Sequence, residues 1–247
     1  MEFDTTVFFE ALTSSQFIHG AWITIALAFC SQAAAIIVGF GLALMRTSKP
    51  LPVRAFSGVY IWFFRAVPTL LLLLLIWNAL PQLIPALTEK WFTPFLAGFA
   101  GLALAEAAYM SEILRAALQS VDPEQRLAAK SLGMTPSQTM RKIILPQVIR
   151  VALPPTGNEA ITMVKFTALT SVISLQELLT IAQQNISATF RYAEFYAAAT
   201  VYYLVIVSVL MVIQAQIEKR YQWRTRVGGS AAGRFGTRMR LSVGGRG

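Results

Sequence analysis

The sequence holds one cysteine and one histidine in 247 residues. Cys30 has no partner for a disulfide within the chain, and its apolar surroundings predict a buried packing role. His19 alone builds neither a Ser/His/Asp set nor a multi-histidine metal centre, so no catalytic or metal-ligating constellation is readable. Charge is scarce too, at 13% of residues, where ordinary soluble domains carry about 25%. The chain also has no glycine-rich phosphate loop, which argues against ATP binding by this chain itself.

What replaces charge is apolar surface. Hydrophobic residues make up 55% of the chain and the mean hydropathy is +0.57. Five apolar spans are predicted, at about Trp22–Met45, Phe56–Leu80, Pro94–Leu118, a start after Pro154-Pro155 running to Leu179, and Phe195–Ile217. Each is long enough to cross a hydrocarbon core, which needs roughly 20 residues. The first carries small residues at Ala33 to Ala35, Gly39 and Gly41, suited to close helix packing. Pro68 predicts a kink in the second. Its leucine run, Leu70 to Leu75, reads as lipid-facing or packing surface. The segment from Gln183 to Glu194 reads as a polar loop.

Net charge is +9, which invites a nucleic-acid reading, but the distribution of charge explains it otherwise. Taken alternately, the loops on one side hold two basic residues and those on the other hold sixteen. Such an asymmetry marks the basic side as cytoplasmic. The N-terminus is therefore expected outside and the C-terminus inside, in an all-α membrane protein of five transmembrane helices. Met1 to Thr13 carries Glu2, Asp4 and Glu10 with no base, unlike a secretory signal, so the first span is expected to be retained. The division that follows is an extracytoplasmic segment at 1–19, a transmembrane domain at 20–220 and a basic, disordered cytoplasmic tail at 221–247. Tyr60, Trp62, Trp77, Trp91 and Trp223 fall near span ends, where amphipathic rings sit.

The polar interval at about 119–150 interrupts the greasy pattern. It contains Leu127-Ala128-Ala129-Lys130-Ser131-Leu132-Gly133 and then Ile143-Ile144-Leu145-Pro146-Gln147. Ala128 and Ala129 favour helix, Gly133 allows a positive φ that ends it, and Pro136 cannot continue it. The expected structure is a short helix, a tight bend and a second, basic helix through Arg141 and Lys142.

These residues carry a family resemblance. Phe64-Arg65-Ala66-Val67-Pro68, Ala108 to Arg115, Gln119-Ser120-Val121, Gln125, Ala128-Ala129, Leu132-Gly133 and Ile143 to Gln147 resemble the polar amino-acid permeases of bacterial ABC importers. Asn158, Lys165, Thr167, Ser171-Val172-Ile173 and Glu177-Leu178 fall in the same family spacing. The likeness runs from Gly20 to about Arg220. It departs at Leu127, where the family's loop usually has Glu; Glu124, one turn earlier, offers a substitute charge. Glu106-Ala107-Ala108-Tyr109 with Ser111-Glu112-Ile113 is similar to glutamate/aspartate permeases in particular, so those substrates lead, with glutamine, arginine or histidine as alternatives. A channel or scaffold without an ATPase would explain the spans but not the spacing of the loop.

The resemblance implies a type I ABC-importer permease in the bacterial inner membrane, crossing it several times. It also implies separate ATPase subunits that hold ATP and Mg, a second permease chain in a homo- or heterodimer, an extracytoplasmic solute-binding protein and contact with membrane lipid. Residues 123–134 would then be the coupling helix, docking through Leu127, Ala128, Leu132 and Met134, with Glu124, Arg126, Ala129, Lys130 and Gly133 completing the loop. Ionisable residues within spans mark function or paired structure. Arg65, Asn158 and Lys165 are candidates for the substrate pathway, Arg65 because a guanidinium can hold a carboxylate through two parallel hydrogen bonds. Glu112 and Arg115, three apart, form a candidate structural ion pair. Glu106 would repel an acidic substrate unless paired, so an inter-helix role is expected of it.

Overall fold

The computed structural model describes residues 3–221, and among these all regular structure is helical. A short helix α1 (Thr5–Thr13) is capped by Asp4, whose carboxylate accepts from the amides of Thr6 and Val7. Ser14 ends α1 and caps the 32-residue α2 (Ser15–Arg46) by accepting from the amide of Phe17. This first long helix begins ahead of the expected Trp22.

Pro68 does more than kink the second span. Helix α3 (Leu51–Ala66) stops, Val67 is extended with ψ 127°, and α4 (Thr69–Leu83) leaves at 101°. Two effects combine here. Proline cannot donate to the turn before it, and its ring pushes the preceding residue out of the helical region. The leucine run divides: Leu72 and Leu73 are buried, whereas Leu70, Leu71 and Leu75 are exposed.

Helix α5 (Pro94–Gln119) starts with Thr93 as N-cap and proline at its first position, and it is the most enclosed of the long helices. It lies against α2, where Gly39 allows the closest approach. A Cβ at Gly39 would stand 2.7 Å from the Cβ of Met110 and 3.0 Å from the carbonyl oxygen of Ala107. Gly41, expected on the same small face, has open space beside it. Cys30 is exposed, a correction to its expected burial. On α2 the inward positions nearby are Ser31 and Gln32, which turns Cys30 outward.

The polar interval forms α6 (Pro123–Ser131). A helical turn at Pro136–Thr139 and a π segment at Met140–Ile144 then run straight into α7 (Leu145–Phe166). Pro154 and Pro155 therefore lie inside a helix, not ahead of it as expected. Gln214 from the last helix packs on this stretch and donates to the Pro154 carbonyl at 3.3 Å.

Helix α7 tightens into a 3-10 stretch at Thr167–Ile173, Ser174 turns at φ 60°, and α8 (Leu178–Thr189) follows. The polar loop expected from Gln183 is helical to Thr189, and Phe190, at φ 59°, ends it. Sequence polarity misleads there because one face of α8, with Leu178, Ile181 and Ala182, is buried against α2 and the last helix. That last helix, α9 (Tyr192–Tyr221), exposes Leu204, Val205, Val209 and Met211, the apolar surface that lipid covers. Helices α2, α5 and α9 are each long and apolar enough to cross a membrane, and counting each bent pair as one span gives up to five. Trp223 and the Arg-rich tail lie outside the described residues.

Candidate functional site

Helix α6 is built from local signals. Asp122 accepts from the amide of Glu124 at 2.9 Å, and Pro123 holds the first helical position, where no amide is required. At the other end the amide of Met134 donates to the carbonyl of Ala129 at 3.0 Å and that of Gly133 to Lys130 at 3.0 Å. With Gly133 at φ +73°, this pattern closes the helix and reverses the chain. Thr135 and Gln138 then form a capping box that starts the next helical turn.

The resulting surface is open. Of the residues on α6 only Ala129 is buried; Glu124, Arg126, Leu127, Ala128 and Lys130 are exposed. Leu127 is 67% exposed and Leu132 80%, while Met134 is half-buried. Exposed leucines on a short helix outside the bundle form an apolar patch without an intramolecular partner. The acid expected from family pattern at Leu127 is absent, and Glu124 points to solvent. The patch is tied back to the bundle by Gln125 and Gln147, whose amides exchange hydrogen bonds. Those two glutamines were visible as spaced residues in the sequence, but nothing there assigned them to each other.

The ionisable residues of the spans separate into distinct environments. Arg115 donates to the same oxygen of Glu112 from Nη2 at 2.6 Å and from Nε at 3.1 Å, and from Nη1 to Gln119 at 2.8 Å. Arg65 is exposed and lies over the Tyr109 ring at 5.3 Å, a cation–π contact between α3 and α5. Asn158 is exposed and accepts from Gln214 at 3.1 Å, joining α7 to α9. Lys165 is exposed at the end of α7. The structure thus places Arg65, Asn158 and Lys165 on different contacts and does not show them converging on one another.

Two buried glutamates make the sharpest contrast. Glu177 is fully enclosed and satisfied: it caps α8, accepting from the amides of Thr180 at 2.7 Å and Leu179 at 2.9 Å, and from Tyr203 at 2.9 Å. Glu106 is 3% exposed, yet its Oε1 has no hydrogen-bond partner. Nor does it form an ion pair among the described residues. Among the described residues, the inter-helix pairing expected of Glu106 is not seen at its Oε1.

An all-helical bundle whose helices are long and apolar enough to cross a membrane, with an exposed helix–turn–helix outside it, is the architecture of a membrane protein. The chain belongs to the family of binding-protein-dependent transport system inner membrane components, whose pattern matches residues 35–223. It is 41% identical over 197 residues to the probable amino-acid permease protein YxeN of Bacillus subtilis, covering 80% of this chain and 87% of that one. It is 37% identical over 209 residues to the arginine transport system permease protein ArgU of Corynebacterium glutamicum, covering 81% of this chain and 66% of that protein. Among solved structures, a crystal structure of an amino acid ABC transporter with histidines superposes with a TM-score of 0.77. It is 36% identical, and the match spans 89% of this chain and all of that one. The type I permease fold and the amino-acid permease class follow from these likenesses together.

Proposed function

We propose that this chain is the transmembrane subunit of an ATP-driven amino-acid importer in which basic amino acids are favoured over glutamate and aspartate. The observation that carries the preference is Glu106, a buried carboxyl group whose Oε1 has no hydrogen-bond partner and which makes no ion pair among the described residues. An uncompensated carboxylate in the membrane is costly. A guanidinium or imidazolium group relieves that cost, and an acidic side chain adds to it. A relative named for arginine and a solved transporter crystallised with histidines support the same direction, while other relatives are named for nopaline, octopine and glutamine. The glutamate/aspartate reading rests on the string around Glu106 and on the N-terminal Glu2-Phe3-Asp4, and the isolation of the Glu106 carboxyl group weighs against it.

ATP and Mg belong on separate ATPase subunits in this reading. Those subunits seat on α6 through Leu127, Ala128, Leu132 and Met134, with Arg126 and Lys130 at the rim. The patch is more apolar than a loop with the usual acid, so docking should depend little on salt. A second permease chain completes the pathway, because the described spans are too few to enclose one easily, and a solute-binding protein delivers the amino acid.

The test is uptake by the full complex in proteoliposomes, with labelled arginine, histidine, glutamine and glutamate offered in turn. ATP-dependent uptake of arginine or histidine, reduced at least tenfold by Glu106→Gln, is expected. Uptake of glutamate in preference to arginine would overturn the substrate assignment, and uptake without ATP would overturn the importer itself.

A further inference from the structure

We infer that the chain binds the phosphate of an anionic phospholipid in a cavity formed by the ends of α2, α3 and α5. The cavity measures about 570 Å³ and is lined by Arg46, Thr47, Arg54, Glu112, Arg115 and Gln119. Three guanidiniums and one carboxylate make its lining net positive. The carboxylate is already engaged, since Glu112 and Gln119 together hold Arg115. Arg46 and Arg54 are left without a carboxylate among the described residues. Arg46 has only a long contact, 3.5 Å, to the backbone carbonyl of Arg54.

Arg46 is nevertheless held in place. Its Nη1 lies where a side chain on Gly58 would begin, 2.7 Å from the position of a Cβ there, so the small residue on α3 makes room for the guanidinium. Beside the engaged Arg115, Arg46 and Arg54 bring two further guanidiniums to the cavity, both planar forks whose donors match phosphate oxygens bidentately. The cavity opens at Arg46 and Thr47, where the long apolar helix α2 ends. Leu44 of α2 and Leu51, Phe56 and Val59 of α3 are exposed beside it. That neighbouring apolar surface suits acyl chains and favours a lipid phosphate over the free ion. Basic pockets between transmembrane helices on the cytoplasmic side are known to hold such headgroups. Gln119 and Thr47 also line an adjoining cavity with Pro123 and Arg126, so an occupied site would sit directly beside α6.

The experiment compares the complex of this chain and its ATPase in nanodiscs of phosphatidylcholine with increasing phosphatidylglycerol, reading co-purified lipid by mass spectrometry. Preferential retention of phosphatidylglycerol is expected, reduced several-fold by Arg54→Gln and unchanged by Lys49→Gln, which removes an equal charge outside the cavity. Arg54 has no carboxylate partner, so its replacement leaves the packing intact, whereas Arg46 is needed over Gly58. Equal losses from the two variants would show generic surface charge and overturn the site. So would absence of a phosphatidylglycerol preference, or binding of millimolar inorganic phosphate in detergent with no such preference.

Discussion

Gln125 and Gln147 exchange amide hydrogen bonds between α6 and the helix that enters the bundle. Nε2 of Gln147 donates to Oε1 of Gln125 at 2.5 Å, and Nε2 of Gln125 donates to Oε1 of Gln147 at 3.3 Å. Gln147 also donates to the Ile143 carbonyl at 2.8 Å, which fixes its amide on α7. A push on α6 therefore reaches α7 through a polar clasp as well as through the backbone.

Breaking the clasp should uncouple the two helices. Each bond contributes about 0.5–1.5 kcal/mol, so Gln147→Leu should lower substrate-stimulated ATPase activity roughly five- to tenfold while assembly with the ATPase persists. Stimulated turnover of the purified complex is the readout. Wild-type stimulation in Gln147→Leu and Gln125→Ala alike would show that the clasp carries no signal.

Gly133 tests the turn that presents the patch. Its φ is +73° and open space surrounds its hydrogens, so a substitution there is opposed by conformation and not by collision. A left-handed residue other than glycine costs about 1–2 kcal/mol, and asparagine tolerates the region better than most. Co-purification of the ATPase should fall in the order glycine, asparagine, alanine, with Gly133→Asp weakest because a charge joins the apolar patch. Undiminished assembly and transport with Gly133→Asp would remove this turn from the docking surface.

Much of this fold could be read ahead because its signals are local. Asp122, Pro123, Gly133 and Pro136 bound α6 by backbone chemistry that needs no tertiary contact. The failures are tertiary. Pro154 and Pro155 read as a helix boundary, yet the helix runs through them, packed against Gln214 of α9 from 60 residues away. The hydrophilic residues of α8 read as loop because their apolar counterparts are buried by helices distant in sequence. Cys30 faces outward although its neighbours are apolar, since hydropathy alone does not separate a core face from a lipid face. The isolation of Glu106 was legible only in part: its burial could be expected, but its lack of a cation depends on which side of α7 meets α5.

The α2–α5 contact gives a paired test of helix packing. Gly39 has no room for a methyl group, with three atoms of α5 within 3.0 Å of where its Cβ would lie, while Gly41 has none within 4 Å. Two of those three atoms are backbone, so the helices must move apart to accommodate a side chain. Overpacking of this kind costs about 1–3 kcal/mol. Thermal unfolding of the purified chain in detergent should show Gly39→Ala clearly destabilised and Gly41→Ala close to wild type; equal midpoints would contradict the close approach.

The N-terminal helix is held to the end of the bundle by one charged cluster. Nη1 of Arg191 donates to Oδ2 of Asp4 at 2.8 Å, and the Asp4 amide donates to Glu194 at 3.0 Å. The hydrogen bond from Arg191, followed by that from the Val7 amide, holds the Asp4 carboxyl below the usual carboxylate range. A depressed value in the folded state means that the charged form stabilises the fold. That contribution is full at neutral pH and declines as the pH falls below the ordinary aspartate value of about 4, being lost once the folded-state carboxylate itself takes up a proton at still lower pH. Asp4→Asn removes it at every pH while keeping a capping side chain. Hydrogen exchange over residues 5–13 should therefore be faster in Asp4→Asn than in wild type at pH 7, and the two should converge as the solution is acidified. The Tyr202 hydroxyl, which donates to the Leu12 carbonyl at 2.7 Å, should keep the far end of α1 in place throughout. A difference that persisted undiminished at pH 3 would show that the ionised carboxylate is not what fastens the helix.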